Sequence, residues 1–297
     1  RPDGTGKEKG SMYKTLEDLL GKAGKFNYTV GSFNMHNLEM LPPMIMAAKE
    51  MGAPIIIQTS AGTAAYIGYG VIVSVCKYLA AHEGVDVALH LDHAVKFNDI
   101  RTAIEAGYSS VMFDGSALPF KENVMQTRTM AEYAHSHGVS IEGELGTIGG
   151  TEEGVSVSDD DKKYTNPDAA KAFVEETHVD ALAVGVGTNH GQYKSKTELN
   201  FPLLKTLGKV VSAPLVIHGG TGVKEEDIHQ CTNYGVRKFN VGTELLVGWT
   251  EKAQEMFAQT KVNTSLRKNI IPCNDVVKES IKKKIAIFLN VQAGGLN

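Results

Sequence analysis

Short apolar, β-branched runs recur along the chain, each followed by small or polar residues and then by a segment whose apolar positions repeat at helical spacing. Eight runs stand out: "NYTVGSFN" (27–34), "APIIIQTS" (53–60), "VDVALHLD" (85–92), "SSVMFDGS" (109–116), "VSIEGELG" (139–146), "VDALAVGVG" (179–187), "APLVIHGG" (213–220) and "VRKFNVGT" (236–243). Eight strand–helix units of about 30 residues each are the arithmetic of a (β/α)8 TIM barrel, which needs roughly 250 residues. An open doubly wound sheet rarely repeats so regularly. The helix signals agree: "NPDAAKAFVEETH" offers Asn166 as an N-cap and Pro167 at the first helical position, where a missing N–H costs nothing. In "LEMLPPMIMAAKEMG", Pro42 and Pro43 forbid a helix running from Asn37, so that helix is expected from near Pro42. Two further amphipathic segments, about 244–260 and 275–289, are expected as additional C-terminal helices.

In such barrels the catalytic groups sit at the C-terminal ends of the strands, and the opposite rim serves stability. The expected ends are Asn34, Thr59-Ser60, Asp92-His93, Asp114-Gly115-Ser116, Glu142-Gly143-Glu144, Asn189-His190-Gly191, His218-Gly219-Gly220-Thr221 and Asn240-Val241-Gly242-Thr243. Three of them supply histidine. One strand-end histidine is more often structural than functional, but His93, His190 and His218 on one rim form the ligand set of a catalytic zinc with a position left for substrate. The glycines and hydroxyls of "GTNHG", "HGGTG" and "NVGT" form an anion cradle, with backbone N–H groups and the Thr221 and Thr243 hydroxyls as donors. Asp92 adjoins His93, and strict alternation would point the two to opposite faces. If the pleat relaxes at the strand end, Asp92 either shuttles a proton beside the metal or supports a histidine.

Composition narrows the partners. The chain has 297 residues and a formal net charge of −4, with no basic stripe for a phosphate backbone, so nucleic acid is not expected. The three cysteines are far apart, odd in number and in no metal-ligand spacing, which suits a reducing cytoplasm. Neither a membrane span nor a signal peptide is legible. Residues 1–11 look like a cloning remnant and are set aside; 12–297 are read as a single catalytic domain.

The motifs "LHLDHA", "SVMFDGSALPFKEN", "EGELGTIGGTEEG", "YTNPDAA", "AVGVGTNHG", "LVIHGGTG" and "KFNVGTE" together resemble the class II, zinc-dependent ketose-bisphosphate aldolases, with the tagatose branch nearer than the fructose branch. The likeness runs from about Met12 to Phe288. It implies a lyase that cleaves a ketose 1-phosphate or 1,6-bisphosphate to dihydroxyacetone phosphate and an aldehyde. Zinc would be held by His93, His190 and His218, with Glu144 as an alternative contact and a monovalent cation as a second ion. Asp92 would be the acid/base at the C4 hydroxyl and Glu152 would move the proton at C3. Asn34, Gly191, Gly219, Gly220, Thr221, Asn240, Gly242 and Thr243 would bind the substrate and its phosphate. A homodimer or homotetramer is implied.

Three positions depart from the family pattern. Thr221 replaces a usual Ser, Gly242 replaces the Asp of the fructose branch or the Ala of the tagatose branch, and Leu246 stands where relatives often carry Arg or Lys for the distal phosphate. Either another basic residue supplies that contact, such as Arg267 or Lys268 of the C-terminal region or a residue of a partner subunit, or the substrate carries another C6 group such as a sulfonate or an uncharged group. The segment 147–163, "TIGGTEEGVSVSDDDKK", is expected to be a lid without packed structure that carries Glu152. No strand end carries a lysine for a Schiff base. A metal-dependent barrel hydrolase and a non-catalytic scaffold are the alternatives from other classes.

Overall fold

A computed structural model describes residues 11–146, 149–152, 155–157, 164–190, 199–221, 223–262 and 265–289, with the side chains of 149–152, 155–157 and 189–190 left aside. The eight runs form the strands β1 (Val30–Asn34), β2 (Ile55–Ser60), β3 (Val87–Ala94), β4 (Ser110–Phe113), β5 (Ser140–Leu145), β8 (Ala181–Val184), β10 (Leu215–Ile217) and β11 (Val236–Val241). All pair in parallel and close as β1-β11-β10-β8-β5-β4-β3-β2. The expected (β/α)8 barrel is therefore the fold.

The inward positions change character along the strands. With side chains alternating faces, β1 points Val30, Ser32 and Asn34 inward, β2 points Ile56, Gln58 and Ser60, and β3 points Ala88, His90 and Asp92. Each series runs from apolar at the strand start to polar at the C-terminal rim. Helix α1 (Leu16–Phe26) closes the apolar end: Leu16, Leu19, Leu20 and Ala23 pack with Val30, Ile56, Ala88, Met112, Ala181, Ala183 and Val216. Its start is a capping box, Asp18 N–H donating to Thr15 Oγ1 and Thr15 N–H to the Asp18 carboxylate. A second apolar layer joins the outer strand faces to the surrounding helices.

Asn166 caps α7 (Pro167–Thr177) with Pro167 in its first turn, and α2 (Leu41–Glu50) starts just before Pro42. Two expectations need correction. Beyond α10 (Thr243–Gln259), helix α11 runs Arg267–Phe288, eight residues earlier than expected, with Pro272 inside it. Pro272 removes one N–H near the start, while Cys273, Val277, Ile281, Ile285 and Phe288 bury the face that anchors the helix. The segment 147–163 is also not without structure. Within it β6 (Gly149–Glu152) and β7 (Val155–Val157) form an antiparallel hairpin, and β6 pairs in parallel with β9 (Asn189–His190).

All three cysteines are free and buried, as expected of small core residues. No single helix among the described residues is long and apolar enough to cross a membrane.

Candidate active site

The polar rim brings most of the expected residues together. Asp92 and His93 are adjacent in β3, yet both reach the same cluster. The reason is local: the register of β3 on β4 shifts between Leu91 and Ala94, and His93 adopts φ +46°, the left-handed region that a non-glycine residue rarely enters. The bulge turns His93 inward beside Asp92. One ligand atom each from Asp92, His93 and His218 lie within 4.8 Å of one another.

His218, fully buried at the end of β10, faces His93 edge to face, with His218 Nδ1 2.8 Å from His93 Nε2. The outer nitrogen of each ring meets a carboxylate: His93 Nδ1 lies 3.0 Å from Asp114 Oδ2, and His218 Nε2 lies 2.8 Å from Glu142 Oε1. A carboxylate accepts, so each outer nitrogen carries the N–H. In neutral rings His93 Nε2 and His218 Nδ1 then meet as two lone pairs, an arrangement that a shared cation makes favourable. Burial alone would raise Asp114, but hydrogen bonds from His93 and Ser116 outweigh it and hold the carboxyl below the usual carboxylate range. Asp114 therefore remains an acceptor.

Glu144 is buried, with Oε2 3.9 Å from His93 Nδ1 and no hydrogen-bond partner on that oxygen among the described residues. Burial, and then the Asp114 charge, push its carboxyl well above the usual range, so a negative charge on Glu144 calls for a cation beside it. His93, Asp114 and Glu144 also bring ligand atoms within 4.8 Å. Imidazole nitrogens joined by carboxylate oxygens are a donor set that suits zinc. His190 lies in β9 beside β6, where Gly150 pairs with it; its side chain is outside the described residues.

Asp92 is held by amides. Gln58 Nε2 donates to its Oδ2 at 2.8 Å, Asn34 Nδ2 to the same oxygen at 3.4 Å, and Asn240 Nδ2 to Oδ1 at 3.3 Å. Gln58 also donates to Asn34 Oδ1 at 2.7 Å and contacts the Ser32 hydroxyl. Gly242, at the N-terminus of α10, has a negative φ of −123°, so no left-handed backbone calls for glycine there and space explains it: a Cβ would stand 2.7 Å from Asn34 Oδ1. Gly242→Ala is expected to swing the Asn34 amide off Gln58 and Asp92 and lower kcat about 3–10-fold, the worth of one such hydrogen bond. Bound metal should be unchanged. Steady-state kinetics beside metal analysis check this, and an unaltered kcat would separate Asn34 from catalysis.

The anticipated anion cradle is modified in one respect. The Gly220 N–H donates to the Asn240 carbonyl at 2.9 Å, so it is not spare for an anion, and a Cβ on Gly220 would stand 2.6 Å from that oxygen. Gly219 has φ +69°, Thr221 is half-buried, and Thr243 opens α10, whose first turn is a natural place for a phosphate. Glu244, in that turn, is drawn toward α11 by Lys284 at 3.0 Å and Ser280 at 2.7 Å. Leu246, Arg267 and Lys268 are exposed. Gly191 lies outside the described residues, as does the Glu152 side chain.

Three participants went unselected in the sequence. Asp114 stood among the strand ends. Glu142 likewise stood at an expected strand end, two residues before Glu144, with no role assigned, and Gln58, between Ile57 and Thr59, was legible only as a polar residue within an apolar run.

A family model described as "Fructose-bisphosphate aldolase class-II" matches residues 14–292. A curated relative from Staphylococcus aureus (strain Mu50), named fructose-bisphosphate aldolase, is 38% identical over 278 residues, covering 92% of this chain and 96% of that one. Among solved structures, the YdjI aldolase from Escherichia coli K12 aligns with a TM-score of 0.82 and 31% identity, covering 93% of this chain and 97% of that one. A fructose-bisphosphate aldolase from Campylobacter jejuni aligns with a TM-score of 0.75 and 25% identity, covering 93% and 94%.

Proposed function

Because the chain belongs to the class II fructose-bisphosphate aldolase family and is on that ground an aldehyde-lyase, we propose that it cleaves a ketose 1-phosphate or 1,6-bisphosphate to dihydroxyacetone phosphate and an aldehyde, with zinc as cofactor. The observation that carries this reading is Asp92, oriented by three amide side chains and set beside the facing nitrogens of His93 and His218. The hydrolase and scaffold alternatives give way to the family assignment.

His93, His190 and His218 would hold the zinc, with Glu144 as a further contact. When bound, the metal polarises the substrate C2 carbonyl and stabilises the negative charge left by C3–C4 cleavage. Asp92 takes the C4 hydroxyl proton as the bond breaks and the aldehyde leaves. Gln58, Asn34 and Asn240 keep its carboxylate turned to that proton, which replaces solvent reorganisation with fixed dipoles. Glu152, on the hairpin paired with β9, returns a proton to C3 while that hairpin acts as the lid. Asn34, Gly191, Gly219, Gly220, Thr221, Asn240, Gly242 and Thr243 take the substrate and its phosphate, Gly220 by leaving room rather than by donating.

The distal end remains the distinctive part. Leu246 brings no charge to a C6 phosphate, so either another basic residue does so, such as Arg267 or Lys268 or one from a partner subunit, or the C6 group is not a phosphate. Tagatose 1,6-bisphosphate is the favoured substrate on motif resemblance, while the S. aureus relative's name puts the fructose isomer beside it. Measuring kcat/KM for both bisphosphates and for 6-sulfo and 6-deoxy ketose 1-phosphates decides this. An ordinary bisphosphate enzyme should prefer a bisphosphate and lose about tenfold or more when the basic residue reaching C6 is removed, the worth of one charge-assisted contact. A preference for the 6-sulfo compound would move the assignment to a sulfonate. No dihydroxyacetone phosphate from any of the four would overturn the proposal.

A further inference from the structure

Beneath His218 lies a buried ionic group that the proposed reaction does not use. Glu142, His90 and Lys238 are each fully buried inside the barrel. Glu142 Oε1 accepts from His218 Nε2, while Oε2 lies 2.9 Å from Lys238 Nζ and 3.7 Å from His90 Nε2. The Lys238 contact is an ion pair whose angles fall outside hydrogen-bond geometry, so it holds Oε2 by charge. His90 Nδ1 lies 2.7 Å from Ser110 Oγ. Burial, and then the Lys238 ammonium, push His90 well below the usual histidine range, so this ring enters as a neutral group.

An apolar side chain of similar volume often serves stability as well as a buried ion pair does. Stability alone therefore gives little reason for a lysine at this depth. Geometry supplies one. Lys238 and His90 bracket Oε2, leaving Oε1 as the oxygen turned to His218. We propose that Lys238 is a positioning residue for metal binding: it aims the Glu142 carboxylate at His218 and so fixes the Nε2–H tautomer whose Nδ1 faces His93. This rests on the reading of His218 as a zinc ligand. Without Lys238 the carboxylate is free to turn, both His218 tautomers are populated, and only one presents Nδ1 as a ligand.

The test uses the full chain labelled with 15N at histidine. In the metal-free wild type, His218 should show the Nε2–H tautomer alone. In Lys238→Met it should show a mixture, and competition against a zinc chelator should give a Kd about 10–100-fold weaker, as for other groups that orient a metal ligand. Because this variant leaves a buried carboxylate without its counter-charge, Lys238→Met combined with Glu142→Gln removes both charges together, and the same mixture and weakening are expected. Circular dichroism establishes which variant is folded. An unchanged tautomer and Kd in a folded variant overturns the inference alone. Failure of the wild type to bind zinc overturns the metal reading and this inference with it.

Discussion

His218→Ala should lose bound zinc to background, with cleavage falling in step. The ring is fully buried and stands between two groups that depend on it, with Nδ1 on His93 Nε2 and Nε2 on Glu142 Oε1. Alanine removes one donor of the facing pair and leaves His93 without the partner that makes a shared cation favourable. It also strips the hydrogen bond from Glu142 Oε1, and a buried acceptor left unsatisfied costs about 1–3 kcal/mol of stability. Thermal unfolding should therefore shift down even without metal. Metal analysis and an assay for dihydroxyacetone phosphate check the variant together. Full zinc occupancy would remove His218 from the ligand set.

Asp92→Ala should give a different signature. Zinc and phosphate binding should persist while turnover falls about 10²–10⁴-fold, the contribution of a positioned acid/base group. Asp92 shares a cluster with His93 and His218, so the metal content of the variant discriminates between two roles. Retained zinc with lost turnover identifies the proton carrier. Lost zinc would make Asp92 a ligand, and near-normal turnover would leave it only a support for its neighbours.

The strands were the most legible part of the chain because each is a short apolar run buried on both faces, ended by small or polar residues. That same burial hid the interior. Lys238 sits in such a run and reads from the sequence as a stray polar residue, and Glu142 stands at an expected strand end with nothing to mark its role, since no periodicity separates an inward charge from an outward one. The pairing of Asp92 with His93 required a left-handed histidine, and nothing in "HLDHA" announces φ +46°. The hairpin at β6–β7 was masked by glycines and acidic residues of low strand propensity, and its partner β9 lies far along the chain. Helix α11 begins eight residues before the amphipathic stretch at 275–289, and the five buried residues from Cys273 to Phe288 anchor it despite the one N–H missing at Pro272. By contrast, α1 carries a plain helical stripe, Leu16, Leu19, Leu20 and Ala23, and lies ahead of the first strand, outside the strand–helix repeat.

The central claim is that the rim built by β3, β5 and β10 supports zinc-dependent aldol cleavage. Its most direct test is to strip the full chain with a chelator and follow dihydroxyacetone phosphate release from tagatose and fructose 1,6-bisphosphates as zinc is returned. The account predicts no release from the stripped protein and recovery that saturates at about one zinc per chain, as a single catalytic site requires. Undiminished release from fully stripped protein would contradict it.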